Sequence, residues 1–190
     1  DVTARVLRLG KNATWVAAEV LREGEVSLLA SFVFMGPVPS SLHLDDRPVP
    51  TGLIAPETAK VLVPNPMMPA FIQQLEIRFA LPPSAEKQPE LCWWVRLKDR
   101  SGLDAMSELM LIADALPSGA LPLLDPGTPA SSMTWQMNLL DPAPTTRDGW
   151  WLLRSRADFA ENGGVSQAMH IWNADGAAIA SGMQAVAVFG

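Results

Sequence analysis

The hydrophobic and polar positions along the chain predict a protein built mainly from β-strands. Apolar residues recur at alternate positions, or in short runs between turn residues, at residues 2–9, 14–22, 26–35, 71–79, 91–98, 134–140, 150–159, 165–173 and 177–189. Short turns rich in Gly, Asn and Asp connect several of these segments, and such turns join antiparallel neighbours. We therefore predict two three-stranded antiparallel meanders, at residues 2–35 and 150–189.

One segment follows a helical pattern instead. Residues 104–117 are rich in strong helix formers and contain no Gly or Pro before Pro117, while Ser101 or Asp104 is suited to cap their start. The apolar residues cover more than one stripe of this helix, which predicts burial on several sides: Met106, Leu109, Met110, Leu111, Ile112 and Ala113. The exception is Asp114, because it lies in the last turn, where the helix dipole disfavours a negative charge.

The distribution of proline predicts how the chain is divided. Prolines recur through residues 37–69 with little periodic pattern, which indicates a long connection between two units. We predict a first meander at residues 1–36, a Pro-rich linker at 37–68 and a second unit at 69–190. The first meander has no helix of its own. We expect an upstream portion of the first unit to be missing from this sequence, and that portion or another chain to cover the apolar face of the meander.

Composition limits the classes of function. The chain has 190 residues, 48% of them hydrophobic, and a net charge of −6, which indicates a globular protein and argues against nucleic acid as a partner. No apolar run approaches the roughly 20 residues of a membrane span, and no signal peptide is recognisable. The single cysteine excludes an internal disulfide and favours a reducing compartment, so a cytoplasmic location is expected.

The last strand points to a candidate site. Small residues at alternate positions of this strand predict a close approach of the helix, and they place Gln184 on the face turned towards it. A buried amide and a carboxylate at a helix end both need partners, so we expect Gln184 and Asp114 to satisfy each other. A hydrogen bond that only fixes packing is the alternative reading of the same pattern. The position in the first meander that matches Gln184 is Phe34.

The other motifs are weaker candidates for a functional site. The sequence has no nucleophile elbow and no phosphate-binding loop, and Cys92 is best explained as a buried structural thiol. His170 ranks below Asp114 and is explained as a sheet residue with a satisfied side chain. His43, Asp45 and Asp46 are more readily explained as a polar loop than as a metal site. The adjacent tryptophans of two pairs should point to opposite faces of a sheet: Trp93 and Trp94, and Trp150 and Trp151.

The order of elements, together with four local stretches, resembles the acyl-CoA thioesterase II family. The stretches are WVRLKDRSGLDAMSELMLIADALP, SSMTWQMNLLDP, WWLLRSRADF and NADGAAIASGMQAVAVF. The resemblance implies an α+β double hotdog fold, in which an antiparallel sheet wraps around a central helix, with the first repeat incomplete. It also implies a role in lipid metabolism, and we expect a homo-oligomer formed through the hotdog sheets.

The resemblance implies a site as well. Members of that family use an Asp on the hotdog helix, a Thr or Ser before the next strand and a Gln on the final strand. These correspond to Asp114, Ser132 and Gln184, with Ser131 and Thr134 as alternatives for the hydroxyl. The implied reaction is hydrolysis of acyl-CoA by an activated water, without metal or cofactor. Two alternatives remain open, a non-catalytic acyl-thioester binding protein and an enoyl-thioester hydratase.

Overall fold

The computed structural model describes residues 1–66 and 68–189, which fall into two compact units, Asp1–Asp45 and Asp46–Gly190. The first unit contains a three-stranded antiparallel sheet in the order β1-β2-β3, formed by β1 (Val2–Leu9), β2 (Ala13–Arg22) and β3 (Glu25–Met35). Glu23 and Gly24 both have positive φ, which allows the chain to reverse within two residues. The predicted meander is confirmed. None of the unit's residues is fully buried.

The second unit contains a six-stranded antiparallel sheet in the order β4-β5-β7-β8-β9-β6. Its strands are β4 (Leu75–Phe79), β5 (Glu90–Leu97), β6 (Ala130–Leu139), β7 (Trp151–Glu161), β8 (Gly164–Asn173) and β9 (Ala178–Val188). The second predicted meander, β7-β8-β9, is confirmed. The strand predicted at residues 71–79 is wrong in its first half, because Pro69 begins a short 3-10 helix, Ala70–Gln74, in which only Ile72 is buried.

The helix α1 (Ala105–Ala113) is shorter and less enclosed than predicted. Asp104 caps its start by accepting hydrogen bonds from the backbone N–H groups of Met106 and Ser107. The helix ends at Ala113, so the predicted continuation to Leu116 is wrong. Burial on several sides is also wrong, because one face is buried and Leu111, on the other side, is 54% exposed. The buried face consists of Glu108, Leu109, Ile112 and Ala113.

Both faces of the six-stranded sheet are covered by apolar residues. On the inner face, α1 packs into a core with Trp93 and Trp151. On the outer face, residues 49–59 pack over Trp94 and Trp150, and the indole N–H of Trp94 donates to the carbonyl oxygen of Ile54 at 2.7 Å. The members of each tryptophan pair therefore lie on opposite faces, as predicted from strand alternation.

The small residues of β9 allow a neighbouring strand to approach closely. A Cβ placed on Gly182 would lie 1.9 Å from the backbone oxygen of Gln136 on β6, so only glycine allows these two strands to approach this closely. The expectation that the small residues make room for α1 is wrong at this position. Gly182 instead keeps the edge strand β6 in register beside Gln184. Within residues 1–66 and 68–189, no helix has the length and apolar character needed to cross a membrane.

Candidate active site

A chain of hydrogen bonds connects the segment after the helix with three strands of the sheet. The backbone N–H of Gly119 donates to Oε1 of Gln167 at 2.9 Å, and Nε2 of Gln167 donates to Oε1 of Gln184 at 2.7 Å. Nε2 of Gln184 then donates to Oγ of Ser132 at 2.8 Å. Gln167 and Gln184 are 1% and 6% exposed, so this is a buried polar network in which both amides have partners.

The direction of this chain follows from its first member. A backbone N–H only donates, so the group of Gln167 that faces Gly119 is its oxygen. The amino group of Gln167 then faces the oxygen of Gln184, and the amino group of Gln184 faces Ser132. Because the oxygen of Ser132 accepts at the end of the chain, its hydroxyl hydrogen is left to be donated elsewhere. Hydrogen bonds aligned in one direction polarise each other, which strengthens Ser132 as a donor.

Two features of the structure bring the members of this hydrogen-bond chain together. Gly119 packs so tightly on β7 that a Cβ there would lie 2.8 Å from the backbone nitrogen of Ala157, so a glycine is required for its N–H to reach Gln167. Nearby, the hydroxyl of Ser155 donates to the carbonyl oxygen of Pro117 at 2.9 Å and anchors the same segment. A change of register at Met133 turns β6, so that Ser132 and Trp135, three residues apart, both lie on the face of the sheet that carries Gln184.

Asp114 lies at the end of α1, next to this network in the sequence but not bonded to it. It is the C-cap residue, and it is exposed on the same helical stripe as Ser107 and Leu111. Enough protein nevertheless surrounds the carboxyl group for burial to raise its pKa above the usual value for Asp. The expected hydrogen bond between Asp114 and Gln184 is wrong, because Gln184 pairs with Gln167 and Ser132.

The buried carboxylate of the helix is Glu108, which sequence reasoning missed. It accepts hydrogen bonds at 3.0 Å from the indole N–H of Trp151 and from Nε of Arg100. Its position four residues before Ile112 places it on the apolar face of the helix, which is the signal that identifies it. Since both of its oxygens have partners, Glu108 is held as a structural group.

Gln167 was also missed, because its role depends on pairing between strands. Its position alternates with Val165, Met169 and Ile171 on the buried face of β8, so a polar residue in an apolar row was the available signal. The register of β8 against β9 then places it directly opposite Gln184.

The other sequence candidates lie away from this network. Burial and the charge of Glu90 raise the pKa of the Cys92 thiol to about 12, so this buried thiol stays protonated. His170 stacks on Trp172 with ring centroids 5.6 Å apart, on the opposite face of β8 from Gln167. Burial and the charges of Arg154 and Arg47 lower its pKa. Ser132 and the alternative hydroxyls of Ser131 and Thr134 all belong to exposed residues, and Ser132 is the one that is bonded to Gln184.

An apolar groove of about 410 Å³ lies at the same end of the sheet. Val165, two residues before Gln167 on β8, contributes to its floor, and this valine packs in a small core with Val186, two residues after Gln184. Asp125 and Glu161 add negative charge to its lining. The remaining lining residues are small or apolar, apart from Thr128: Ala120, Leu123, Leu124, Ala160, Gly163, Gly164 and Val188.

Comparison with known proteins gives one family. The sequence profile of the acyl-CoA thioesterase C-terminal domain matches residues 44–188. No curated protein matches the chain.

Solved structures resemble the whole chain. A conserved protein of unknown function with a hot dog fold from Alicyclobacillus acidocaldarius is 20% identical, with a TM-score of 0.82 over 100% of this chain and 72% of that one. A candidate thioesterase II from Thermobifida fusca YX is 22% identical, with a TM-score of 0.80 over 98% and 71%. The acyl-CoA thioesterase II TesB2 from Mycobacterium marinum is 17% identical, with a TM-score of 0.76 over 98% and 72%. The predicted α+β hotdog fold is confirmed.

Proposed function

Because this chain belongs to the acyl-CoA thioesterase C-terminal domain family, we propose that it hydrolyses acyl-CoA to a free fatty acid and CoA. The observation that carries the proposal is the hydrogen bond between Gln184 and Ser132, two residues that the family resemblance places in one site. The network that holds them ends in a hydroxyl donor, which suits the positioning of a small polar molecule such as water.

Asp114 is the proposed general base. A carboxylate with a raised pKa binds a proton more strongly when ionised, and a base is most effective when its pKa approaches the working pH. Asp114 accepts a proton from water, whose oxygen attacks the carbonyl carbon of the thioester. The carbonyl oxygen becomes an oxyanion, the intermediate collapses, and the thiolate of CoA leaves and takes the proton from Asp114. The sum is one thioester and one water consumed, one acid and one thiol formed.

Ser132 and Gln184 are proposed to position the water. The hydroxyl hydrogen of Ser132 is directed to the water oxygen, and this direction is set by Gln184 and, behind it, Gln167. Gln184 therefore acts through Ser132, because both of its polar groups are already engaged with protein partners.

The apolar groove is proposed to receive the acyl chain. Its floor continues from the same strand positions that carry Gln167 and Gln184, so a thioester at the network can extend its chain along Val165. Asp125 and Glu161 make the groove unfavourable for the phosphates of CoA, which therefore face the other way.

The experiment that tests the function follows thiol release from acyl-CoA substrates. The full chain is incubated with acetyl-, octanoyl- and palmitoyl-CoA, and free thiol is measured over time against a blank without protein. We expect protein-dependent release, fastest with a chain long enough to fill the groove. Tight binding of acyl-CoA without release would show a binding protein instead. Addition of water to crotonyl-CoA without thiol release would show a hydratase.

Replacing Gln167 by Glu tests the direction of the hydrogen-bond chain. A carboxylate has no hydrogen to donate to Gln184, so the amide of Gln184 should turn its amino group to residue 167 and its oxygen to Ser132. Ser132 then donates to Gln184 and loses its free hydrogen. We expect kcat to fall about tenfold, which corresponds to the loss of one hydrogen bond. The control is Gln136→Glu, the same change at an exposed position of β6. Equal rates for both variants would contradict the proposed role of the hydrogen-bond chain.

A further inference from the structure

Trp135 carries a buried polar atom whose role the proposed mechanism does not explain. Its Nε1 is shielded from solvent and has no hydrogen-bond partner among the described residues. Leaving a buried N–H without an acceptor is costly, about 1–3 kcal/mol, so such an atom requires an explanation. The indole itself packs against the main core, to which Ile112 and Ala113 of α1 belong.

Three other buried indoles of the chain have acceptors. The N–H groups of Trp94 and Trp172 donate to backbone carbonyl oxygens at 2.7 and 2.9 Å, and that of Trp151 donates to Glu108 at 3.0 Å. Among the residues that the structure describes, Trp135 is the one tryptophan whose Nε1 is both shielded from solvent and without an acceptor.

Trp135 also lies next to the proposed site. It is the direct cross-strand partner of Gln184, and the register change at Met133 turns it to the same face as Ser132. Gln184 does not pair with it, since its oxygen accepts from Gln167 and its amino group donates to Ser132. An indole N–H can only donate, so its missing partner must be an acceptor.

We propose that the indole N–H of Trp135 is the donor that binds the carbonyl oxygen of the thioester and stabilises the oxyanion formed when water attacks. This inference rests on the proposed thioesterase function and supplies the one group that the mechanism lacks. A fixed donor aimed at a developing oxyanion is often the largest single contribution to acyl transfer. As the carbonyl carbon accepts the water oxygen, its π electrons move to the oxygen held by Trp135, and they return when the thiolate leaves.

The test replaces Trp135 by Phe and compares two unreactive ligands. One is a CoA analogue in which a methylene replaces the thioester sulfur, so that it keeps the carbonyl as a ketone. The other is an S-alkyl-CoA thioether of equal chain length, which has no carbonyl. Binding is measured by calorimetry. We expect Trp135→Phe to weaken binding of the ketone about tenfold and to leave binding of the thioether unchanged. It should also lower kcat by about 10²- to 10³-fold, as for loss of one oxyanion donor.

The outcomes separate this inference from the proposed function. A wild-type chain that releases no thiol, while the ketone alone is weakened in Trp135→Phe, would overturn the hydrolase and support the carbonyl contact. If the wild-type chain releases thiol and Trp135→Phe weakens binding of the ketone and the thioether equally, the role of Trp135 is overturned and the hydrolase is left intact. A shifted acidic limb of the pH profile with unchanged ketone binding would also overturn it, because the indole would then serve Asp114.

If Trp135→Phe does not fold, a second measurement on the unaltered chain tests the proposal. In ¹⁵N-labelled protein, the indole N–H resonances are followed by NMR during addition of each ligand. We expect the ketone, and not the thioether, to move one indole proton downfield, with the partnered indoles of Trp94, Trp151 and Trp172 as internal references. Identical responses to both ligands would overturn the proposal.

Discussion

Replacing Asp114 by Asn is expected to lower the rate of thiol release by about 10²- to 10⁴-fold, the usual contribution of a general base. Asn keeps the size and most of the hydrogen-bonding capacity of Asp but cannot take a proton from water. The matched control is Asp104→Asn at the other end of the same helix, where Asn remains a good N-cap, so that this variant should hydrolyse as fast as wild type. If Asp114→Asn is also as fast as wild type, the base lies elsewhere.

The same variant has a pH signature in activity. Burial raises the pKa of Asp114 above 3.8, and only the ionised carboxylate acts as a base. The value of kcat/KM should therefore fall as the pH drops through that raised pKa. This acidic limb should be absent from the residual activity of Asp114→Asn, whose side chain does not titrate.

Stability should change in the opposite direction from activity. Since the pKa of Asp114 is raised on folding, its protonated form is favoured in the folded state, and its contribution to stability is complete below pH 3.8 and lost as the pH rises through the raised pKa. Asn stays neutral throughout. We expect Asp114→Asn to melt at an equal or higher temperature than wild type at neutral pH, with the difference vanishing below pH 3.8.

Replacing Glu108 by Ala is expected to destabilise the protein by roughly 2–3 kcal/mol. This effect on stability does not make Glu108 a catalytic base. The change leaves the buried indole N–H of Trp151 without its acceptor and opens a small cavity under α1. The ion pair with Arg100 adds less, because that side chain is 43% exposed and its charge is screened by solvent. The measurement is the free energy of unfolding from denaturant titration, followed by the fluorescence of tryptophan.

Glu108→Gln is the matched control for this prediction. The amide oxygen of Gln still accepts from Trp151, so we expect a smaller loss of stability and thiol release close to that of wild type. The two carboxylates of α1 are thereby distinguished, Asp114 by its effect on rate and Glu108 by its effect on stability. Loss of hydrolysis in a well-folded Glu108→Gln variant would assign the chemistry to Glu108 instead.

The sequence predicted the two meanders, and the other strands except the first half of the one at residues 71–79, because alternation and turn residues are local signals. It predicted where the helix starts for the same reason, since the cap formed by Asp104 involves only neighbouring residues. It misjudged where the helix ends and which side is buried. Those outcomes depend on how Glu108 pairs with Trp151 and on how the segment after Ala113 is anchored to β7, which are contacts between distant residues.

The candidate site shows the same division. Ser132 and Gln184 were chosen from the sequence, and their hydrogen bond appears in the structure. Gln167 was not chosen, because its importance arises from the register of β8 against β9. Trp135 was not chosen either, because strict alternation from Ser132 would turn it to the other face, and the register change at Met133 is not apparent in the pattern.

The measurement that tests the central claim most directly is a single turnover in water enriched in ¹⁸O. The full chain is mixed in excess over palmitoyl-CoA, the reaction is stopped after one turnover, and the mass of the released fatty acid is determined. Direct attack of water activated at Asp114 predicts an acid that carries one ¹⁸O in the first turnover. Unlabelled acid would mean that a carboxylate oxygen of the protein attacked the thioester and left with the acid, after water opened the anhydride at the protein carbon. The absence of any released acid would contradict hydrolysis itself.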